Sequence, residues 1–156
     1  MGGLLVNGET LRVHGEEQFV MDGWIDLAPF EQLLGMCIVE AVDGQAVLTM
    51  PFTVKLSQGG GFMHGGALTA LADTAAAIAV KTRLPASTPF ATRDLSMRFL
   101  APVRQGIVTA TAELAQEDER RFIIHVGVTD SGNVKVAEFS ADFRLLRDKS
   151  HGLSAC

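Results

Sequence analysis

The spacing of apolar residues predicts one long helix. Between His64 and about Arg83, apolar side chains recur every three or four positions, which is the repeat of one helix face. The positions that share this face are Ala67, Leu68, Leu71, Ala72, Ala75, Ile78 and Ala79. Alanine fills most of the remaining positions, so this helix is predicted to be buried on more than one side. It is expected to start at the two glycines after His64 and to end before Pro85.

Before the helix, the pattern predicts a β-hairpin. Two strand-like runs, 36–42 and 45–52, are separated by Asp43 and Gly44. An Asp-Gly pair between such runs favours a tight turn, because both positions tolerate a positive φ.

After the helix, the apolar repeat becomes two, as in a half-buried strand. In residues 93–100, one strand face carries Leu95, Met97 and Phe99. Alternating segments follow at 107–114, 121–129 and 134–146, joined by polar turns. Two strands, one long helix and four strands are an α+β order. A curved antiparallel sheet wrapped around the helix is the simplest arrangement that buries it.

Composition agrees with a single domain. The chain has 156 residues, of which 47% are hydrophobic and 20% charged, enough apolar material for one core. We expect an N-terminal extension at 1–25, the domain at 26–146 and a C-terminal tail at 147–156. At the start of the domain, Asp26 is expected to cap a short helix from Leu27 to Leu34 that Gly35 ends.

Charge and residue usage exclude several functions. A net charge of −5, one Trp and no Tyr argue against a nucleic-acid partner. No segment is typical of a membrane span or a secretory leader, so a soluble cytoplasmic protein is expected. Cys37 and Cys156 form no disulfide framework, and Cys37 is interpreted as a small buried hydrophobe. The four histidines are far apart in sequence, so no metal and no cofactor are predicted.

Candidate chemistry lies in the glycine-rich segment 56–77. The glycines at 59–61 are not followed by the Lys-Ser/Thr of a phosphate-binding loop, and His64 replaces the glycine that a dinucleotide fingerprint requires. Two interpretations remain open: a flexible loop that enters a helix, or backbone amides presented at a helix N-terminus. In the second, the small Gly65 lets a carbonyl oxygen approach the unpaired amides, which would polarise it.

Asp73 is the second candidate, because a carboxylate in an alanine-rich buried helix is costly unless it is paired or functional. Gly65 and Asp73 are eight residues apart, roughly 12 Å along a helix. A catalytic carboxylate and an oxyanion donor must both lie within roughly 3 Å of one reacting carbonyl. One helix cannot provide both, but two antiparallel copies can. A catalytic role therefore predicts a homodimer with a shared site.

These residues carry a resemblance to a known family. The segments HGGALTALAD and ATRDLSMRFLAPVRQG, in this order of strands, resemble the hotdog-fold acyl-CoA thioesterases over roughly residues 30–146. The branch is the phenylacetate-degradation (PaaI-like) type, related to 4-hydroxybenzoyl-CoA thioesterases. The resemblance implies that Asp73 is the catalytic acid and that the Gly65 amide polarises the thioester. It also implies that His64 shapes the helix start and that the Gln58 amide orients the thioester or the water.

The sequence departs from the family's pattern at three places. Three glycines at 59–61 replace a more varied loop. Compared with the aromatic branch, Asp73 replaces Glu, and Ala77 stands where that branch has a hydroxyl residue. Thr74 is a candidate to replace this hydroxyl. These departures weaken the inference of a 4-hydroxybenzoyl substrate.

Further substrate-binding candidates are Gly66 at the helix start, Met63 in the acyl pocket or the core, and Arg120 and Arg121 in a turn. The two arginines have the charge and donors to bind CoA phosphates, or they balance the acidic residues of the same turn. His125 is expected to face away from the apolar stripe of its strand.

The predicted activity is hydrolysis of an aromatic or medium-chain acyl-CoA by a homodimer, or by a homotetramer as the resemblance implies. Two alternatives are a hotdog enoyl-CoA hydratase or dehydratase that uses His64 and Asp73, and a non-catalytic acyl-CoA-binding module.

Overall fold

The structure is a computed structural model that describes residue 19 and residues 21–147. Its elements, in chain order, are α1 (Pro29–Leu33), β1 (Cys37–Val42), β2 (Gln45–Pro51), a 3-10 turn (Val54–Leu56), α2 (Gly65–Lys81), β3 (Phe90–Phe99), β4 (Ile107–Glu117), β5 (Arg121–Thr129) and β6 (Lys135–Leu145). The α+β prediction is confirmed. The predicted extension and tail lie mostly outside the described residues, so their boundaries stay predictions.

All six strands form one antiparallel sheet in the order β1-β2-β4-β5-β6-β3. Helix α2 packs against β2, β4, β5 and β6, the middle of this sheet. The strand residues that face it alternate with solvent-facing ones, as the stripe from Phe122 to Val128 on β5 illustrates. His125 lies on the opposite, exposed face, as predicted.

Helix α2 is the centre of the core, and its burial on several sides is confirmed. Its buried positions are Ala67, Leu68, Leu71, Ala72, Ala75, Ala76, Ile78, Ala79 and Val80. The small alanine side chains allow the curved sheet to approach the helix closely. One stripe of the helix is left half-exposed and consists of Thr69, Ala70, Asp73, Thr74 and Ala77. The helix ends at Lys81, slightly before the predicted position near Arg83, and Thr82 caps it.

The Asp43-Gly44 turn is formed as predicted. Both residues have positive φ, 43° and 80°, which is the backbone of the tight turns that suit antiparallel strands. A Cβ on Gly44 would lie 2.9 Å from Cβ of Leu114, so glycine is also required for close packing.

The predicted short helix is shifted and shortened. It starts at Pro29, after Ala28, and ends at Leu33. Pro29 suits the first helical position, and the residue before a proline avoids helical backbone, so the helix cannot begin at Leu27. Asp26 does not cap it; instead, the Asp26 carboxylate accepts hydrogen bonds from the Asp22 and Leu27 amides.

The interpretation of Cys37 as a buried residue is wrong. Cys37 is exposed, because β1 is an edge strand and its burial is low along most of its length. In the described part of the chain, no helix has the length and apolar character needed to cross a bilayer.

Candidate functional site

The N-terminus of α2 presents one uncommitted amide. His64 is the N-cap, and its Nδ1 accepts a 2.8 Å hydrogen bond from the Gly66 N–H. The Ala67 and Leu68 amides donate to the His64 carbonyl. No atom of the described residues accepts from the Gly65 N–H. The capping pattern therefore leaves the Gly65 amide as the first-turn donor available to a ligand.

Gly65 is covered on one side by an aromatic ring. A Cβ at this position would lie 2.9 Å from Cζ of Phe99, so the ring edge lies against the glycine backbone. Phe99 is the last residue of β3 and is 54% exposed. A side chain at position 65 would displace this ring and crowd the amide. Glycine thus keeps the donor accessible.

The loop before α2 fixes Gln58. Its Oε1 accepts from the Gly60 N–H, its backbone N–H donates to the Phe62 carbonyl, and a bridge joins Ser57 to Met63 on either side. A Cβ on Gly60 would lie 2.9 Å from Oε1 of Gln58. Gly60 therefore allows the Gln58 amide to fold back onto its own loop.

Asp73 lies two turns further along α2 and is half-buried. Burial raises the pKa of its carboxyl above the ordinary value, a hydrogen bond from Thr92 opposes this, and the negative charge of Glu31 adds to the increase. The Thr92 hydroxyl donates to Oδ1 over 3.2 Å. Asp73 thus has one positioned hydrogen-bond donor and a poorly solvated carboxylate, the environment of an acid–base group.

Asp73 belongs to the α2 stripe that the sheet does not cover. The half-buried members of this stripe are Thr69, Ala70, Asp73, Thr74 and Ala77. Gly65 and Asp73 are eight residues apart on the continuous helix, roughly 12 Å. The amide and the carboxylate of one protomer therefore do not converge on one carbonyl.

A comparison with protein families identifies the family of this chain. The sequence model of the thioesterase superfamily matches residues 60–137, half of the chain, including the segment that holds Gly65 and Asp73. The chain belongs to the thioesterase superfamily. As a member it is a thioester hydrolase with the hotdog fold, and both predictions are confirmed.

Individual relatives narrow the likeness within the superfamily. The chain is 32% identical to the acyl-coenzyme A thioesterase PaaI of Escherichia coli over 119 residues, 76% of this chain and 78% of the relative. It is 33% identical to the 1,4-dihydroxy-2-naphthoyl-CoA hydrolase of Listeria monocytogenes over 101 residues, 64% and 81% of the two chains. Among solved structures, a mutant of the phenylacetic acid degradation protein PaaI from Thermus thermophilus superposes with a TM-score of 0.71 and 28% identity, covering 76% of this chain and 100% of that one. The predicted PaaI-like resemblance is confirmed.

Other predicted site residues of this thioesterase lie in varied surroundings. Gly66 is exposed, but its amide is used by the His64 cap. Met63 is 4% exposed and belongs to the core, while Thr74 lies on the half-buried stripe beside Asp73. Arg120 donates to the Leu145 carbonyl, and Arg121 pairs with Asp142 at 3.1 Å. Part of the donor capacity of both arginines is therefore used within the protomer.

Sequence reasoning missed Thr92, Phe99 and Glu31. Thr92 precedes a bulge between Thr92 and Asp94 that reverses the alternation of β3. Simple alternation back from Leu95 therefore puts Thr92 on the outer face, although it contacts α2. No pattern in the sequence marks this bulge. Glu31 could have been singled out, because it is the one charged residue of its short helix.

A groove of about 780 Å³ lies elsewhere, on the outer face of β3 to β6. It is lined by His125 and by charged residues that include Arg98, Glu113, Lys135 and Glu138. Neither Asp73 nor Gly65 lines it, so volume alone does not locate the chemistry of this protomer. Among residues 19 and 21–147, no group of three His, Cys, Asp or Glu side chains is arranged to hold a metal ion.

Proposed function

We propose that the protein hydrolyses an aromatic or medium-chain acyl-CoA to the free acid and CoA, with Asp73 of one subunit and Gly65 of the other acting on the same thioester. The observation that carries this proposal is the pair of groups on α2: one first-turn amide without an acceptor in the described protomer, and one half-buried carboxylate on the uncovered stripe. Each is half of a thioester-cleaving site.

The chemistry follows from these two groups. The Gly65 N–H donates to the thioester oxygen and stabilises the negative charge that forms there when the carbonyl carbon is attacked. The ionised Asp73 carboxylate either attacks that carbon, forming an anhydride that water then hydrolyses, or removes a proton from the attacking water. In both routes the C–S bond breaks, CoA leaves as the thiolate and takes up a proton, and water supplies the acid oxygen.

Supporting roles go to the residues around the amide. His64 fixes the helix start by accepting from Gly66, and this cap leaves the Gly65 amide free for the thioester. The Gln58 amide orients the thioester or the water, and Thr74 is available to a substrate beside Asp73. Met63 supports the acyl pocket from the core. Arg120 and Arg121 bind CoA phosphates with the donors that their internal contacts leave unused.

Assembly as a homodimer brings the two halves together. In antiparallel copies of α2, the N-terminus of one helix lies beside the middle of the other. Two surfaces support such pairing: the half-exposed α2 stripe, and the free edge of β3, which pairs only with β6 in the described part of the protomer. Leu95 and Phe99 on β3 are 41% and 54% exposed in the protomer. A homotetramer of two such dimers is our further expectation.

A panel of acyl-CoA substrates tests this function. The purified protein is mixed with benzoyl-, phenylacetyl-, hexanoyl-, decanoyl- and crotonyl-CoA, and free thiol is measured with a thiol dye. We expect thiol release, fastest with an aromatic or medium-chain substrate. Hydration of crotonyl-CoA without thiol release would instead identify a hydratase. Tight binding of acyl-CoA with neither reaction would identify a binding module, and either result would overturn the proposal.

A further inference from the structure

Glu31 is a carboxylate that the reaction described above does not use. It lies in the first turn of α1 and is half-buried. Its Oε2 is shielded from solvent, and no hydrogen-bond donor among the described residues reaches this atom. Two other glutamates have cationic partners, Glu117 with Arg83 and Glu138 with Lys135. A buried, unpaired carboxylate oxygen lowers stability, so its presence calls for a reason.

The position of Glu31 supplies that reason. Helix α1 packs against α2, and the charge of Glu31 acts on Asp73, where it adds to the effect of burial on the Asp73 pKa. No other ionisable side chain of α2 lies near Asp73 to oppose the charge of Glu31. Helix α2 has no other ionisable residue between His64 and Lys81, and β3 presents the Thr92 hydroxyl, flanked by the exposed Arg93 and Asp94.

The arrangement combines two unlike influences on one carboxylate. Thr92 holds one oxygen of Asp73 by a hydrogen bond, which fixes its direction. Glu31 adds a second negative charge in a half-buried space, which makes the ionised Asp73 less stable and therefore more reactive towards a proton or a carbonyl carbon. Such strained charge pairs are typical of catalytic sites rather than of structural ion pairs.

We propose that Glu31 is a positioning residue for thioester hydrolysis that acts through Asp73, because α1 holds its partly buried carboxylate, with one oxygen unpartnered, against the helix that carries Asp73. This inference rests on the proposed function and extends it to a residue on a different element. Glu31 itself does not contact the substrate in this proposal.

The test is the pH dependence of kcat in Glu31→Gln. The amide keeps the size of the side chain and removes the charge. Because the charge raises the Asp73 pKa, its removal must lower that pKa, so the midpoint of the acidic limb is expected to fall by about 0.5 to 1 pH unit. The plateau kcat is expected to fall about two- to threefold, because a weaker base is a poorer catalyst. The variant thus loses activity at high pH and retains relatively more at low pH.

Three controls isolate this effect. Glu31→Asp keeps the charge and should keep the wild-type midpoint within about 0.2 units. Glu113→Gln makes the same change of net charge on the outer face of β4, and should leave the profile unchanged. In an Asp73→Asn background, Glu31→Gln should cause no additional loss of kcat, because its effect acts through Asp73.

The outcomes are distinguishable from failure of the proposed function. If the wild-type protein releases no thiol from any acyl-CoA of the panel, the proposed function itself is wrong; if Asp73→Asn retains full turnover, the role of Asp73 is wrong and the present inference falls with it. If Asp73→Asn is inactive but Glu31→Gln keeps the wild-type midpoint, only the present inference is wrong. A lowered Tm with an unchanged midpoint would show that Glu31 merely stabilises α1. Should Glu31→Gln not fold, Glu31→Ala removes both the charge and the buried polar group, and the same downward shift is required of it.

Discussion

Asp73 stands in a helix whose only other ionisable residue, Lys81, is at its last turn. Burial and the charge of Glu31 both raise its carboxyl pKa, and the hydrogen bond from Thr92 only partly offsets them. Ionised Asp73 therefore opposes folding at neutral pH. Residues whose ionised form lowers the stability of the fold are typical of sites where that ionised form takes part in a reaction.

At the residue scale, Asp73→Asn separates a catalytic from a structural role. Asparagine keeps the size of the side chain and an acceptor for Thr92, but it neither ionises nor takes a proton. We expect kcat to fall roughly 10²- to 10⁴-fold, the usual worth of a positioned acid–base group. A structural role predicts nearly full turnover and a lower Tm. A loss of less than about tenfold, about 1.4 kcal/mol of barrier, would rule out a catalytic Asp73.

The same variant has an expected stability profile. The pKa of Asp73 in the folded state lies above its ordinary value of 3.8, so folding favours the protonated carboxyl. This contribution to stability is fully present below about pH 3.8 and is lost as the pH rises through the pKa of the folded state. The Tm of Asp73→Asn should therefore exceed that of wild type at neutral pH, and the difference should shrink towards about pH 4. Thermal melts at several pH values measure both curves.

Asp73 could be predicted from sequence because a single carboxylate among alanines is conspicuous. Its environment could not. Thr92 donates to it from beside the β3 bulge, and the charge of Glu31 acts on it from α1, whose start is set by Pro29. Side-chain partners that come from other elements depend on local irregularities, which apolar periodicity does not encode.

At the element scale, the glycine loop offers a matched pair of substitutions. A Cβ on Gly60 would press on the Gln58 amide, whereas a Cβ on Gly59 would meet nothing within 4 Å, and neither residue has a positive φ. Gly60→Ala is expected to displace the Gln58 side chain and lower kcat/KM about two- to tenfold, the worth of one hydrogen bond. Gly59→Ala should leave kcat/KM unchanged.

Thermal stability provides the control for this pair. Alanine reduces the freedom of the unfolded loop equally at both positions, so both variants should keep or slightly raise the Tm. Equal activities of the two variants would show that the Gln58 amide does not take part in turnover. A lower Tm of Gly60→Ala alone would show damage to the loop instead of a displaced amide.

Among the elements, sequence periodicity identified α2 and all six strands to within about three residues at each end. It placed the start of α1 two residues early and missed the first three residues of β3 and its bulge. In β3 the pattern was read from Arg93, but the strand begins at Phe90 and its alternation is interrupted by the bulge. Long, regular elements are predictable because many residues repeat the same signal; short or irregular ones depend on single residues such as Pro29.

At the scale of the whole molecule, the distance between Gly65 and Asp73 determines how a catalytic site can form. The roughly 12 Å between Gly65 and Asp73 on a straight helix prevents one protomer from forming the site. Sequence alone supplied this argument, because the rise of a helix per residue is fixed. The structure adds the uncovered α2 stripe and the free β3 edge, two surfaces through which a second copy is expected to complete the site.

The most direct test of the shared site is a hybrid dimer. Asp73→Asn and Gly65→Ala subunits with different affinity tags are co-expressed, the doubly tagged heterodimer is purified, and its kcat is compared with those of wild type and both homodimers. The Asp73→Asn homodimer lacks the carboxylate in both sites, and in the Gly65→Ala homodimer the added Cβ crowds the amide in both sites, so each should be nearly inactive. In the heterodimer, one site combines an intact Asp73 with an intact Gly65, so about half of the wild-type activity is expected. A heterodimer no more active than its parents, or full activity in a strictly monomeric wild-type protein, would contradict the account.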